Sequence, residues 1–253
     1  MAALLQDIIS YANNLLTPEQ YRDYCPNGLQ VEGKKNVQRI ISGVTASQAL
    51  LDAAVKLDAD LVLVHHGYFW KGESEPVTGI KKQRLKTLLQ HDMSLLAYHL
   101  PLDGHPQLGN NTQLAQRLDL EITGGLEVGN PLSIGLTGRL PEPMRAEAFS
   151  EHIAKALGRE VMHIEGGPEF IETIGWCTGA AQGYIDKAAI LGLDAYLSGE
   201  ISEPTVHSAR ELGIHYFSAG HHATERYGVQ ALGERLAEVF ALEHQFVDIK
   251  NPV

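Results

Sequence analysis

The sequence predicts an α/β fold, in which helices cover sheets of buried strands. Three observations support this prediction. The chain has 253 residues and is 44% hydrophobic, which is enough to bury one large core or two smaller ones. Short apolar runs alternate with longer amphipathic segments along the chain. A strand, helix and strand pattern also occurs twice in phase.

The first half of the chain has the alternation that a helix-covered sheet requires. The first helix ends before Pro18, which cannot continue it, and a turn-rich loop follows. Apolar strand-like runs then alternate with amphipathic segments. The predicted elements are a helix over 3–16, a loop over 25–33, a strand over 39–44, a helix over 47–57, a strand over 60–64, a helix over 82–92 and a strand over 94–99.

The second half continues the alternation, and joints that contain Gly and Pro interrupt it near 124–131 and 141–143. These joints predict an inserted lobe over 126–200, with 1–125 and 201–253 forming the other lobe. The predicted elements are strands over 132–140, 160–164, 173–179, 195–199 and 245–249, helices over 146–158, 184–192, 206–213 and 223–239, and a strand-like segment over 215–222.

The chain contains an internal repeat. Segments 40–66 and 173–200 align at an offset of 134 residues, which places Asp194 opposite Asp60. A second, weaker match sets His99 beside His221, each at the end of a strand and each followed by a carboxylate four residues later. We interpret the repeat as a diverged duplication, with chance similarity as the alternative for matches this short.

Composition argues against several classes of protein. The formal net charge of −11 disfavours a general affinity for nucleic acid or anionic membranes, both of which reward dense Lys and Arg. Cys25 and Cys177 lack CxxC spacing, so neither a disulfide framework nor a thiolate zinc site is expected. The N-terminal segment lacks the basic start of a signal peptide, and no apolar run reaches the roughly 20 residues of a membrane span. We therefore expect a cytoplasmic protein.

Imidazole and carboxylate side chains follow three predicted strands at the points where those strands end. His65 and His66 follow one strand, Asp103 follows the next, and His221 and Glu225 follow a third. Residues just beyond the carboxyl ends of strands converge on the ligand-binding crevice of an open α/β sheet. We therefore predict that these five side chains form one metal site.

Two divalent ions are predicted at this site. Adjacent side chains on a strand point to opposite sides, so His65 and His66 would serve two different ions. A carboxylate can bridge two cations and orient a shared water. Mixed histidine and carboxylate ligation without thiolate suits Zn²⁺, Mn²⁺, Fe²⁺, Co²⁺ or Ni²⁺ and does not select among them.

Other interpretations of the polar residues stay open on the sequence alone. His221 and Glu225 could form the first turn of a helix, where a carboxylate needs no metal. His99 is a candidate catalytic residue, acting as a ligand, as a proton shuttle or as a donor to a ligating carboxylate. His222 could take any of these three roles, or it could simply pack against neighbouring side chains. The remaining histidines are expected at surface or core positions: His91, His105, His152, His163, His207, His215 and His244.

Two neighbouring segments suit either a substrate pocket or ordinary structure. The aromatic and basic residues over 68–71 could form an apolar wall with an anion contact, or they could belong to the core. Asn27 and Gln30 could face the site, or they could close a tight loop. No residue is assigned to substrate binding.

Six motifs occur in a fixed order over nearly the full chain: PNGLQVEG, GVTAS, VHHGYFWKG, YHLPLDGHPQLGNN, GEISEPTVHSARELG and SAGHHATER. In these motifs the chain strongly resembles the Nif-three-like family, whose members are commonly labelled GTP cyclohydrolase 1 type 2 homologs. The resemblance implies two α/β lobes, a dinuclear metal centre in the cleft between them and a toroidal homohexamer. It also implies the ligands, which are His65, His66, Asp103, His221 and Glu225, with His99 in the pocket. One departure is Pro26, where many members have an Asp before Asn27.

The favoured function is a metal-dependent hydrolase, in which a metal-activated water attacks a nucleotide-like or heterocyclic small molecule. The alternative is a non-catalytic metal-binding scaffold or regulatory ring, and a nucleic-acid partner is the least favoured. Opening the imidazole ring of GTP would require attack on C8, but the chain has no GxxxxGK[ST] loop to hold a triphosphate. The cations after the histidine pair suit either a phosphate or solvent: Lys71, Lys81, Lys82 and Arg84.

Overall fold

The computed structural model describes residues 2–253, which divide into two units by their internal contacts. One unit comprises Met1–Leu108 and Gly228–Lys250, and the other comprises Gly109–Tyr227 and Asn251–Val253. The second unit is therefore longer than the predicted lobe over 126–200. The reason is strand pairing, because segments on both sides of that lobe contribute strands to the sheet of the second unit.

The order of the elements follows the predicted alternation. The strands are β1 (Ala3–Leu4), β2 (Gly28–Val31), β3 (Asn36–Val37), β4 (Arg39–Thr45), β5 (Leu61–His66), β6 (Ser94–Ala97), β7 (Glu121–Gly125), β8 (Leu136–Arg145), β9 (Met162–Ile164), β10 (Phe170–Cys177), β11 (Ala195–Ser198), β12 (His215–Ser218) and β13 (Glu243–Phe246). The helices are α1 (Leu5–Leu16), α2 (Gln48–Lys56), α3 (Gly79–Gln90), α4 (Leu100–Gly104), α5 (Asn110–Arg117), α6 (Ala146–Leu157), α7 (Ile185–Ile190), α8 (Glu203–Leu212), α9 (His221–Thr224) and α10 (Arg226–Phe240). Across residues 2–253, no helix has both the length and the apolar character needed to cross a membrane.

The main sheet of the first unit has the strand order β13-β4-β5-β6-β2. The first four strands are parallel, and β2 pairs antiparallel with β6 at the edge. Both faces of β5 are buried: Leu61 and Leu63 pack towards α1 and α10, whereas Val62 and Val64 pack towards α2 and α3. The prediction of a loop over 25–33 is wrong at Gly28–Val31, which form strand β2. The strand conformation of β2 depends on pairing with β6, which is distant in the sequence.

The second unit has a sheet with the strand order β7-β8-β10-β11-β12-β9. Strands β10, β11 and β12 are parallel, and the outer strands are antiparallel to their neighbours. Trp176 of β10 is fully buried beneath α5 and α6, and its indole N–H donates to the carbonyl of Asn111 at 3.0 Å. Helices α7 and α8 pack on the opposite face.

The hydrogen bonds confirm the predicted repeat at an offset of 134 residues. Asp60 Oδ2 accepts from the backbone N–H groups of residues 38 and 39 at 2.9 and 3.2 Å. Asp194 Oδ2 accepts from those of residues 172 and 173 at 3.0 and 2.8 Å. Asp60 therefore holds the start of β4, and Asp194 holds the corresponding residues of β10 from the equivalent position in its own unit.

The weaker match between His99 and His221 is wrong by one residue. The backbone N–H of Tyr98 donates to the carbonyl of Val64 at 3.1 Å, and that of Ala219 donates to the carbonyl of Ser198 at 2.8 Å. Val64 and Ser198 are related by the confirmed offset, so Tyr98 corresponds to Ala219. His99 therefore corresponds to the glycine that precedes His221.

Replacing Asp60 or Asp194 by Ala should destabilise the protein. Each change leaves two backbone N–H groups without their acceptor, at an expected cost of about 1–3 kcal/mol in the free energy of unfolding. Asp52→Ala and Asp186→Ala are matched controls, because both are exposed helix residues related by the same offset. Denaturant unfolding measures the difference, and midpoints equal to those of the controls would contradict the assigned role.

Candidate metal centre

His65 is fully buried at the end of β5 and is held by one ring nitrogen. Its Nδ1 donates to the backbone carbonyl of Tyr98 at 2.9 Å, which leaves the lone pair of the neutral ring on Nε2. Nε2 lies 3.5 Å from Oδ1 of Asp103, whose side chain is only 7% exposed. Asp103 reaches this position because α4 begins soon after β6. Metal-binding histidines commonly have one nitrogen held in this way while the other faces the ion.

His66 and His99 lie beside His65 in the same unit. The ring centroid of His65 is 4.6 Å from that of His66 and 5.0 Å from that of His99. One ligand atom of each of the three lies within 4.8 Å of those of the others. That His65 and His66 serve two different ions stays a prediction. These histidines are close enough to share one ion.

Asp23 positions His99, and the sequence analysis did not identify it. Oδ1 of Asp23 lies 2.7 Å from Nδ1 of His99, and Oδ2 accepts from Asn27 Nδ2 at 2.8 Å and from the N–H of Leu100 at 2.9 Å. Burial opposes ionisation of Asp23, but the hydrogen bonds from His99, Asn27 and Leu100 outweigh it and lower the pKa to about 2. The ionised carboxylate makes Nδ1 of His99 the donor and leaves the lone pair on Nε2.

Gln30 holds the loop that follows the histidine pair. Its Oε1 accepts from the N–H of Tyr68 at 2.7 Å, and its Nε2 donates to the carbonyl of Tyr68 at 3.1 Å. A Cβ on Gly67 would lie 2.2 Å from Gln30 Oε1, so the close approach of Gln30 requires glycine there. The polar residue flagged in the sequence therefore fixes the backbone beside the candidate ligands.

Aromatic side chains lie next to the imidazoles of the first unit. The ring centroid of Trp70 is 5.0 Å from that of His99 and 5.9 Å from that of His66, and its indole N–H is held by the carbonyl of Gly67 at 3.1 Å. Phe69 is 38% exposed and has a φ of +65°, a left-handed conformation that costs a non-glycine residue about 1–3 kcal/mol. Trp70 thus provides a fixed aromatic surface beside two candidate ligands.

The four cations predicted near this loop differ in their surroundings. Lys71 and Lys82 are exposed, which favours their interpretation as solvated residues. Lys81 donates to the carbonyl of Ser74 at 2.9 Å and pairs with Glu73 at 3.1 Å. Arg84 is half-buried, and its guanidinium lies 6.0 Å from the centre of the Tyr68 ring.

In the second unit His221 lies between two carboxylates. Its Nδ1 is 2.7 Å from Glu200 Oε1, and its Nε2 is 3.0 Å from Oε2 of Glu225, a residue that is 3% exposed. Burial lowers the pKa of His221, but the hydrogen bonds and charges of Glu225 and Glu200 outweigh burial and raise it to about 9. Glu225 lies between the last residue of α9 and the first residue of α10, so its position also fits the alternative of a carboxylate at a helix N-terminus.

Gly179 leaves the space that Glu225 occupies. A Cβ on Gly179 would lie 2.1 Å from Glu225 Oε1 and 3.3 Å from His221 Nε2, and the backbone φ is +68°. The N–H of Gly179 donates to Thr224 Oγ1 at 3.1 Å, and its carbonyl accepts from the N–H of Gly199 at 2.9 Å. The turn after β10 is thus fixed against α9, with glycine facing the candidate ligands.

The donors of each unit fit a divalent cation. In both units a histidine presents Nε2 to a buried carboxylate while its Nδ1 is held by an oxygen. Cys25 has a ligand atom within 4.8 Å of those of Asp23 and His99. Burial and the charge of Asp23, however, raise the pKa of its thiol to about 12, which disfavours the thiolate that a metal would need. The usable donors are imidazole nitrogens and carboxylate oxygens, which suit Zn²⁺ and its neighbours.

Replacing Glu200 by Gln should weaken metal binding without removing any ligand. The amide keeps the shape of the carboxylate but loses the charge that orients and polarises His221. Loss of such a partner typically costs roughly 10- to 100-fold in metal affinity. Titration against a chelator of known affinity measures the change. The exposed residue Glu203, which pairs with His207, offers Glu203→Gln as a control that should leave the affinity unchanged.

Comparisons with known proteins agree with the fold and with the sequence resemblance. The model of the family Duf34/NIF3 (NGG1p interacting factor 3) matches residues 3–252. A GTP cyclohydrolase 1 type 2 homolog of Pseudomonas aeruginosa is 62% identical over 252 residues, which cover 100% of both chains. A second homolog of the same name, from Vibrio cholerae, is 58% identical over 243 residues, which cover 95% of this chain and 96% of its own.

A solved structure agrees with the fold. It is that of protein ybgI, described as of unknown function, and it has a TM-score of 0.96 and 49% identity, covering 99% of this chain and 100% of that one. The predicted α/β fold and family are thereby confirmed, and the chain belongs to the DUF34/NIF3 family.

Proposed function

We propose that this protein is a divalent-metal-dependent hydrolase. Its ligands would be His65, His66 and Asp103 in the first unit and His221 and Glu225 in the second. The observation that supports this most directly is the arrangement repeated in both units, where a histidine held at Nδ1 presents Nε2 to a buried carboxylate. We further propose, from the family resemblance, that the five side chains hold two ions in one centre.

The residues around the ligands suit hydrolysis of a planar small molecule. Two bound divalent ions would supply an activated water and would polarise the bond under attack. His99, held by Asp23 at Nδ1, would exchange a proton at Nε2. Trp70, which lies edge-on to His99, would pack against a planar group of the substrate. These features favour a heterocyclic or nucleotide-like substrate, and the name of the relatives makes GTP the first to test.

Turnover by the purified, metal-loaded protein tests this proposal. A survey of GTP, other nucleotides, cyclic amides and phosphodiesters should find at least one substrate that is hydrolysed. That turnover should be lost in Asp103→Ala and Glu225→Ala and kept in the control Glu211→Ala, which changes an exposed carboxylate. Metal binding without turnover of any of these compounds would instead favour the non-catalytic scaffold.

We also propose that the protein assembles as a homohexamer, as the family resemblance implies. Apolar side chains such as Val128 and Ile190, which are 80% and 85% exposed in the single chain, are available for such contacts. Light scattering on the eluted protein should give a mass of about six times 27.7 kDa. A mass of one or two chains would contradict this assembly.

A further inference from the structure

Arg159 lies directly against Gly220, the residue that precedes the candidate ligand His221. A Cβ on Gly220 would lie 1.9 Å from Nη1 of Arg159 and 2.5 Å from its Cζ. The guanidinium therefore occupies the space that any other residue at position 220 would fill. Gly220 also has a φ of +96°, which favours glycine independently of that contact.

Most donors of this guanidinium are uncommitted. Within residues 2–253 the recorded polar contact of Arg159 runs from Nε to the carbonyl of Glu160 at 3.2 Å. The two carboxylates that contact His221, those of Glu200 and Glu225, are directed at its ring nitrogens. Arg159 is half-buried and retains the donors on Nη1 and Nη2. A cation in such a position is available to an anionic ligand.

We propose that Arg159 binds a phosphoryl group of the substrate, an inference that rests on the hydrolase function proposed above. The planar guanidinium presents paired donors that match two oxygens of a phosphate. A carboxylate would use both of its oxygens to accept from the paired guanidinium donors. A phosphoryl group would have a further oxygen left for a cation held beside His221. The favoured ligand is therefore a phosphomonoester or a nucleotide.

Arg159 is distinct from the cations that the sequence offers for a phosphate, all of which follow the histidine pair. Of these, Lys71 and Lys82 are exposed and Lys81 pairs with Glu73, and the chain has no phosphate-binding glycine loop. Arg159 lies at the end of a helix-forming segment, and nothing in the local sequence distinguishes it from a surface arginine. Its placement depends on the close approach of β9 and β12, which pair antiparallel.

Calorimetric titration of the metal-loaded protein with inorganic phosphate tests the proposal. Arg159→Gln should raise the Kd for phosphate by roughly 10- to 100-fold, the range expected for loss of a charge-assisted hydrogen bond. Arg159→Lys keeps the charge without the paired donors and should show a smaller increase. The control Arg145→Gln changes an exposed arginine that pairs with Glu169 and should bind phosphate as the wild type does. Metal content should be unchanged in all three variants.

Three further arms separate the outcomes. Guanosine monophosphate should bind at least as tightly as phosphate. Binding of malonate as tight as that of phosphate would overturn the phosphoryl assignment.

A protection experiment uses the wild type alone and so does not depend on the folding of a variant. Phosphate should protect Arg159 from modification by phenylglyoxal, as followed by mass spectrometry. Absence of phosphate binding, equal binding by Arg159→Gln, or no protection would each overturn the proposal. Phosphate binding that depends on Arg159 in a protein without turnover would overturn only the hydrolase function.

Discussion

Asp103→Asn and Glu225→Gln should each cause the loss of both metal ions if the five proposed ligands hold two ions in one centre. Each amide keeps the shape of the side chain but removes the negative charge that faces a histidine Nε2. In a centre where carboxylates offset the repulsion between two cations, loss of one negative charge lowers the affinity for both ions. The loss of affinity should exceed the roughly 10- to 100-fold effect of an outer hydrogen-bond partner.

Elemental analysis after dialysis measures this result directly. The wild type should retain two ions per chain, each variant should retain fewer than one, and the control Glu211→Gln should match the wild type. Loss of one ion in Asp103→Asn and of the other in Glu225→Gln would show two independent sites and contradict the single centre. Retention of both ions in either variant would remove that residue from the ligand set.

Local sequence patterns predicted most of the fold, and the departures share one physical cause. The apolar run of β5 and the amphipathic helix α2 carry their own signals, so both were expected within a few residues of their observed limits. Strand β2 was expected as a loop, because only pairing with β6 makes it a strand. The lobe boundaries moved for the same reason, since β7 pairs with β8 and β12 pairs with β11. Pairing between distant segments leaves little trace in a local pattern.

The candidate ligands could be predicted from their positions at strand ends, whereas their supporting partners could not. Tyr98 holds His65 through a backbone carbonyl, which any residue type would supply. Asp23 reaches His99 from a loop far away in the sequence. The internal repeat did contain a usable signal, because its offset of 134 residues places Glu200 opposite His66. The alignment of Glu200 with the candidate ligand His66 therefore indicates a role for Glu200 at the site, where it contacts His221.

Gly179 shows how the same repeat reveals a residue that has no functional group. At the same offset Gly179 corresponds to Thr45, whose hydroxyl lies 3.1 Å from Nδ1 of His66. In the second unit the side chain is missing, and the carboxylate of Glu225 occupies the space. The two units thus use equivalent turns differently, one to hold a histidine and the other to admit a carboxylate.

Gly179→Ala should therefore weaken metal binding while leaving the protein folded. The added methyl would lie 2.1 Å from Glu225 Oε1, so the carboxylate must move away from His221 Nε2. The left-handed backbone adds a cost of about 1–2 kcal/mol for any residue with a Cβ. Gly192→Ala isolates that cost, because Gly192 has a φ of +71° and nothing within 4 Å of an added Cβ.

Chelator titration and denaturant unfolding of the two variants separate the two effects. In the metal-free form Gly179→Ala should lose at least as much stability as Gly192→Ala, because it adds the contact with Glu225 to the backbone cost. Only Gly179→Ala should lose metal affinity, by roughly tenfold or more, as for other disturbances around a ligand. Equal metal affinity in the two variants would mean that the position of Glu225 beside Gly179 is irrelevant to the ion. Because alanine adds no charge and removes no donor, a selective loss in Gly179→Ala would arise from displacement of Glu225 or of His221 Nε2, the two groups that the methyl would meet. The substitution therefore tests the geometry of the ligands rather than their chemistry.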